Sequence, residues 1–260
     1  MESIFQHFRK DEQPFIEMVL GWIQDVEDLY VPKLTDFLNP RERYIVRSLI
    51  GNRDLLIAEN GQFQQAERKR MLLYPTYYEL QEDDFRTTVF RVKYPTKFVT
   101  LTHPHVLGSL MGLGIDRSKF GDIRIEEEEV QFAVVEELED YMRANFTEIG
   151  KSKISIEEIE DAGELIMVSD TWLESTQIVS SMRLDVLVAA LTNQSRQKAV
   201  NLIKGEKVRV NWTTTSDVAA ELYEEDLLSI RGYGRFKILA VEGRTRKEKV
   251  RLITGQLEGL

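Results

Sequence analysis

None of the 260 residues is cysteine. Whatever this chain folds into, disulfides, cysteine-ligated zinc and iron–sulfur clusters do not staple it, and cysteine is not its nucleophile. That absence fits a reducing compartment. At 260 residues the chain exceeds one small domain and suffices for two or three. Its 42% hydrophobic and 30% charged residues are those of a globular protein, not a disordered or fibrous one. The stretch from Met1 to His7 lacks a basic region leading into an apolar one, so no secretory signal is read there. No apolar run approaches the roughly 18 residues of a membrane span. The expected location is the cytoplasm, with no membrane partner.

A net charge of −10 argues against nucleic acid until its distribution is followed. Residues 182–260 carry a net +4, and residues 1–181 a net −14. From Glu126 to Asp161 there are 13 acidic residues against Arg143, Lys151 and Lys153. Such a run is a solvated face, and it would repel RNA. A basic C-terminal third on an acidic body points to a dedicated anion-binding module.

Along the chain, Phe15, Met18, Val19, Trp22, Ile23 and Val26 recur at helical spacing behind Pro14, which suits a first turn. Asn39, Pro40 and Glu42 form a helix start, with Tyr44, Ile45, Ser48 and Leu49 as the expected buried stripe. Strands are expected at Leu55–Ala58 and Met71–Tyr74, closing a first α/β domain at residues 1–78. Residues 79–162 read as a middle domain. Strands are expected at Thr88–Val92 and Phe98–Leu101, then a helix through Val106, Leu107, Leu110 and Met111. Two strands at Ile123–Ile125 and Val130–Val134, a helix from Leu138 to Phe146 and a closing strand within Thr147–Ile156 follow. Strand–helix–strand–strand–helix–strand is the ferredoxin-like pattern used by RRM modules. The RRM's glycine-and-aromatic signature is missing, with Phe132 alone on the third strand. Residues 163–181 read as a connector with a strand near Leu165–Val168, and residues 182–260 as a third domain. The expected class is α+β.

The third domain holds the chemistry. Leu184, Leu187, Val188 and Leu191 make one buried helix face. A second helix starts at the N-cap Ser195, with Ala199, Leu202 and Ile203 inward and Gln197, Asn201 and Lys204 outward. Arg196 and Lys198 sit in its first turn, where cations oppose the helix dipole by about 0.3–1 kcal/mol each. A bound phosphate reverses that sign, because free N–H groups, dipole and both cations then act on one anion. The competing reading is a merely solvated basic helix end. Period two in Lys207-Val208-Arg209-Val210-Asn211 places Lys207, Arg209 and Asn211 together, opposite the valines. In Arg231-Gly232-Tyr233-Gly234-Arg235, two glycines permit a tight turn framed by arginines, with Tyr233 as a stacking surface.

These residues, with Arg183-Leu184-Asp185, Gly205 and Asp226, resemble the S4 RNA-binding domain (αL-type) over about residues 182–242. In that family the two-helix and β-turn surface docks into structured RNA. The resemblance extends further. His103-Pro104-His105 through Leu113-Gly114-Ile115-Asp116-Arg117 and Gly121-Asp122-Ile123 look like the middle domain of YlmH-type S4 proteins. Ala66-Glu67-Arg68-Lys69-Arg70 and Val179–Asp185 look like further segments of that family. The resemblance implies a non-catalytic RNA-binding protein on the large ribosomal subunit. It would contact ribosomal RNA and tRNA in rescue or quality control of stalled translation. No DNA specificity, metal or cofactor is expected. The candidate contacts are Arg183, Ser195, Arg196, Gln197, Lys198, Asn201, Lys204, Lys207, Arg209, Asn211, Arg231, Tyr233 and Arg235. Arg68, Lys69, Arg70, His103 and His105 form a weaker second set.

Four other readings compete. S4-bearing pseudouridine synthases can carry an Arg-Leu-Asp catalytic motif followed by a Thr-Ser-Gly-type turn. Here Val186-Leu187-Val188 follows instead, so Asp185 reads as a helix-start or ion-pair residue. Gly108 to Gly114 matches neither the dinucleotide fingerprint nor a P-loop. His103 and His105 could offer two metal ligands, but no third stands at a telling spacing. A cell-division adaptor with a protein partner is the remaining class.

Overall fold

The computed structural model describes residues 8, 12–167, 172–224 and 226–257. It divides into two compact units, Met1–Val168 and Ser169–Leu260. In the first unit, α1 (Gln13–Leu29) and α2 (Pro40–Ile50) lie on a three-stranded antiparallel sheet. Its strands are β1 (Lys33–Leu38), β2 (Leu55–Asn60) and the central β3 (Lys69–Pro75). Ile16, Val19, Ile23 and Val26 of α1 pack on Ile45, Val46, Leu49 and Ile50 of α2 and on Met71 and Leu73. The α2 start is the expected capping box. Asn39 Oδ1 accepts the Glu42 N–H at 3.0 Å, and Glu42 accepts the Asn39 N–H at 2.7 Å. Its buried stripe differs from expectation. Val46 and Ile50 replace Tyr44 and Ser48, which are exposed.

The second layer set of this unit contains β4 (Thr87–Lys93), α3 (His103–Gly112), β5 (Phe120–Glu126) and β6 (Glu129–Val135). Then come α4 (Glu139–Asn145), the two-residue β7 (Glu148–Ile149) and β8 (Ser152–Lys153), and β9 (Ser155–Glu158). The main sheet runs β5-β6-β4-β9, antiparallel throughout, with α3 and α4 as the two crossovers. That is the strand order of a β-α-β-β-α-β unit. Phe98–Leu101 is not a strand. It has the alternation but no neighbour, because β9 takes the free side of β4 by pairing Val92 with Ile156.

Both faces of this sheet are covered. Phe90, Phe120 and Phe132 face Val106, Leu110 and Met142 of the helices. Val89, Ala133 and Val135 face Phe37, Phe63 and Ala66 from the N-terminal elements. Gly121 sits where that contact is tightest. A Cβ there would lie 2.8 Å from the Phe37 ring and 2.9 Å from Ala133 Cβ. Beside it, the Asp122 carboxylate accepts the N–H groups of Glu67 and Arg68 at 2.8 and 2.9 Å. The face that carries stacking aromatics in an RRM is therefore interior, and Phe132 is a core residue.

The second unit is a six-stranded sheet ordered β10-β15-β14-β13-β11-β12 with two helices. Its elements are β10 (Trp172–Val179), α5 (Leu184–Leu191), α6 (Arg196–Lys204), β11 (Val208–Val210) and β12 (Thr213–Thr214). β13 (Leu227–Ile230), β14 (Gly234–Arg244) and β15 (Val250–Leu257) complete it. Leu184, Leu187, Val188, Ala199 and Ile203 pack on Val208, Leu228, Ile230, Phe236, Ile238 and Leu252. The expected connector is not passive. Residues 165–167 form no strand and Val168 lies outside the described residues, but Trp172–Val179 pairs along its full length with β15.

Candidate nucleic-acid interface

The interface begins at the α5–α6 corner. Asp185, only 2% exposed, sits in the first turn of α5. Its carboxylate receives Arg183 through two 3.1 Å hydrogen bonds, and Arg196 through Nε at 3.0 Å and an Nη2 contact at 2.9 Å. Burial pushes the Asp185 carboxyl up, but hydrogen bonds and charge from the two arginines outweigh it and hold the pKa below the ordinary value. Arg196 thus also has a folding role, because it neutralises a buried carboxylate. The group retains one net positive charge, with the side chains of Arg183 and Arg196 40% and 58% exposed. Asp185 is thus an ion-paired helix-start residue.

The helix continues the exposed polar face. Ser195 caps it, accepting the Lys198 N–H at 3.3 Å. Gln197, Lys198, Asn201 and Lys204 are exposed, while Ala199 and Ile203 are buried. Lys198 and Lys204 pair with no carboxylate among the described residues. At its far end the chain turns straight into the sheet. The Lys207 N–H donates to the Leu202 carbonyl at 3.0 Å, and the Arg231 N–H donates to the Lys207 carbonyl at 2.9 Å. That brings the backbones of Lys207 and Arg231 beside the C-terminal end of α6, which carries Lys204. The turn carrying Arg231 needs its glycines, with Gly232 at φ 86° and Gly234 at φ 104°.

The remaining strand cations stand elsewhere. Arg209 is opposite Ser229, and Ser229 is opposite Arg235. Cross-strand partners share a face, and this one is opposite Val208, Leu228 and Phe236, which meet the helices. Arg209 and Arg235 therefore lie on the far side of the sheet from α6. Asn211 does not join them, since β11 ends at Val210 and Asn211 turns to φ 47°. Its side chain donates to Asp226 at 2.7 Å and accepts the Leu227 N–H at 2.9 Å, a fastening of the loop. Tyr233 is half-buried, packed against the edge of the core.

Within the second set, Arg68 and Arg70 hold strands together. Arg70 is 3% exposed and donates to the carbonyls of Thr35 and Arg86 at 2.8 and 2.6 Å. Arg68 donates to the carbonyls of Phe37 and Phe120 at 2.6 and 3.2 Å, and Lys69 contacts Glu59 at 3.2 Å. Arg68 and Arg70 join β1, β3 and β5, with Arg70 buried, while Lys69 is half-buried on Glu59 of β2. His103 begins α3, and the exposed His105 borders a cleft of about 460 Å³ with Pro104, Ser109 and Lys151. Among the described residues no group of three or more His, Cys, Asp or Glu could hold a metal, and no helix is long and apolar enough to cross a membrane.

One basic element lies outside the candidate contacts. The hairpin joining β14 to β15 carries Arg244, Arg246, Lys247, Lys249 and Arg251, all exposed. Its signal was a plain run of cations, legible in the sequence but lying beyond the S4-like stretch.

Comparison with known proteins finds three family segments along the chain. Residues 11–78 match the family described as YlmH, N-terminal, and residues 81–162 the putative RNA-binding domain in YlmH. Residues 182–228 match the S4 domain. The chain is 42% identical over 252 residues to the ribosome-associated protein quality control protein P2 of Bacillus subtilis (strain 168). That alignment covers 97% of this chain and 98% of the relative. A solved structure, the cell division protein ylmH from Streptococcus pneumoniae, is similar at 33% identity with a TM-score of 0.54, covering 62% of this chain and 98% of the other. With three family segments in order and a relative spanning nearly its whole length, the chain belongs to the YlmH family of S4-domain proteins.

Proposed function

We propose that this protein is a cytoplasmic, non-catalytic RNA-binding protein that associates with the ribosome and acts in quality control of stalled translation. The observation that carries the reading is the α6 surface, where exposed cations at both ends of an S4 helix pair are held in place by the fold. Arg183 and Arg196 are fixed by Asp185, while the opposite end carries Lys204 with the backbones of Lys207 and Arg231 beside it. α6 has nine residues, so the two groups stand about 13 Å apart at a rise of 1.5 Å per residue. That spacing suits phosphates along a folded RNA, contacted by charge and shape rather than by base identity. Large-subunit ribosomal RNA and tRNA are the structured targets this reading names. The Bacillus relative's name supports the ribosomal setting.

The test has two arms. Sucrose-gradient sedimentation followed by RNA crosslinking should place the protein on the large subunit, with crosslinks from residues 196–207. In parallel, Lys198→Ala with Lys204→Ala should weaken RNA binding and flatten the log–log salt slope by about two. Unchanged affinity and slope would remove α6 from the interface. A protein that sediments free of ribosomes yet keeps a protein partner would favour the division adaptor that the Streptococcus structure's name brings to mind. A pseudouridine that disappears with Asp185→Asn would move the reading to an RNA-modifying enzyme.

A further inference from the structure

The nine residues from Gly243 to Arg251 hold five cations and one acid, a net +4, which equals the net charge of all of residues 182–260. The S4-like stretch with its helices is close to neutral by itself. The basic asymmetry of the C-terminal region therefore resides in one hairpin tip. The tip is well built. Thr245 accepts the Glu248 N–H at 2.9 Å and donates its own N–H to the Lys249 carbonyl at 2.7 Å, while Lys249 N–H reaches Thr245 Oγ1 at 3.2 Å. Glu248 takes the left-handed position at φ 57°. A three-residue hairpin loop of this kind favours glycine there and makes no demand for charge at its centre.

Folding accounts for two of the five cations. Arg251 pairs with Glu242 at 2.7 Å, and Arg244 contacts Glu248 at 3.8 Å. Arg246, Lys247 and Lys249 are exposed and pair with no carboxylate among the described residues. Edge protection does not explain them either. Lysines guard a strand by lying along its open edge, but these three occupy the turn, and β15 below them is paired on both sides. Three like charges within four residues lie inside about one Debye length, roughly 10 Å at 0.1 M salt, so they repel each other until an anion covers them.

We infer that this hairpin tip is a second RNA-binding element, separate from the helix pair, that grips the phosphate backbone of double-helical RNA through Arg246, Lys247 and Lys249. The inference rests on the RNA-binding reading above and extends it to residues outside the matched S4 segment. The occupant is a polyanion because three exposed cations, paired with no carboxylate among the described residues, recognise charge density. It is double-helical because three cations gathered on one compact turn can meet the phosphates that border the wide, shallow minor groove of an RNA duplex on both sides.

The experiment uses the full chain and a labelled RNA hairpin of about 20 base pairs, longer than the roughly 16 a duplex-binding domain spans. Affinity is followed from about 50 to about 200 mM salt, where phosphate contacts dominate the change. Arg246→Gln, Lys247→Gln and Lys249→Gln together should flatten the salt slope by about two to three and weaken binding at least roughly tenfold at the low-salt end. The charge-conserving set Arg246→Lys, Lys247→Arg and Lys249→Arg should restore both. A slope and affinity equal to wild type in the Gln set would overturn the inference. So would an equal loss on single-stranded oligouridine, which would show a contact indifferent to the duplex. If the Gln set misfolds, a charge-conserving set that folds yet binds weakly also overturns it. Should the wild-type chain show no salt-dependent RNA binding at all, the broader function fails instead, and the two failures are told apart.

Discussion

At the residue scale, Asp185 shows how a functional surface is tied to stability. Its carboxylate is buried, and two arginines that would otherwise repel each other at a helix start converge on it. Removing the charge leaves both guanidinium groups facing each other over a buried site, so Asp185→Asn should cost about 2 kcal/mol. The pH dependence has a definite sign. The folded carboxyl titrates below its ordinary value of 3.8, so its contribution is fully present above that value and is lost as pH falls through the lower folded one. Urea unfolding of wild type and Asp185→Asn should therefore differ most at neutral pH and converge in acid. A constant difference across the series would show that the charge is not what the site uses. Gly121 makes a second case. A methyl group there meets the Phe37 ring and Ala133 with no flexible atom to move, so Gly121→Ala should destabilise the first unit by about 1–3 kcal/mol.

At the element scale, legibility followed how local each signal was. The α2 capping box is written in four consecutive residues and stands as read. Period 3.6 placed α1 and α5 correctly, because each shows one face to one core. What failed depended on partners far away in sequence. Phe98–Leu101 alternates like a strand but finds no edge, whereas Lys33, Thr35 and Asp36 leave β1 with little strand signal of its own. Thr35 is in fact buried, and its hydroxyl accepts the Met71 N–H at 2.9 Å. The same limit applies to the candidate interface. Composition marked Arg68 and Arg70 as surface cations, but their carbonyl partners lie 16 to 52 residues away. Strand β10 carries the strongest consequence. It supplies the edge partner of β15 from Val250 to Leu257, so it belongs to the fold of the second unit. A fragment of residues 169–260 should unfold cooperatively, and one of residues 182–260 should be less stable and prone to associate through its exposed edge, measured by denaturant midpoint and light scattering.

At the scale of the whole molecule, the two units carry opposite charge. Residues 1–168 sum to −12 and residues 169–260 to +2. Within the positive unit the charge is again uneven, concentrated in the β14–β15 tip. An acidic body acts on RNA in two ways: it subtracts from the long-range attraction that draws any polyanion, and it does not reach the short-range contacts proposed at α6. Affinity for arbitrary RNA should then fall more than affinity for a fitted site, which favours selectivity over raw binding strength. The fragment of residues 169–260 should accordingly bind an arbitrary RNA duplex several-fold more tightly than the full chain at about 50 mM salt, and the gap should close as the Debye length shrinks toward roughly 3 Å at 1 M. A gap that persists at high salt would assign the difference to direct obstruction by the first unit rather than to its charge. Equal affinity at low salt would mean that the carboxylates between Glu126 and Asp161 play no part in what the protein binds.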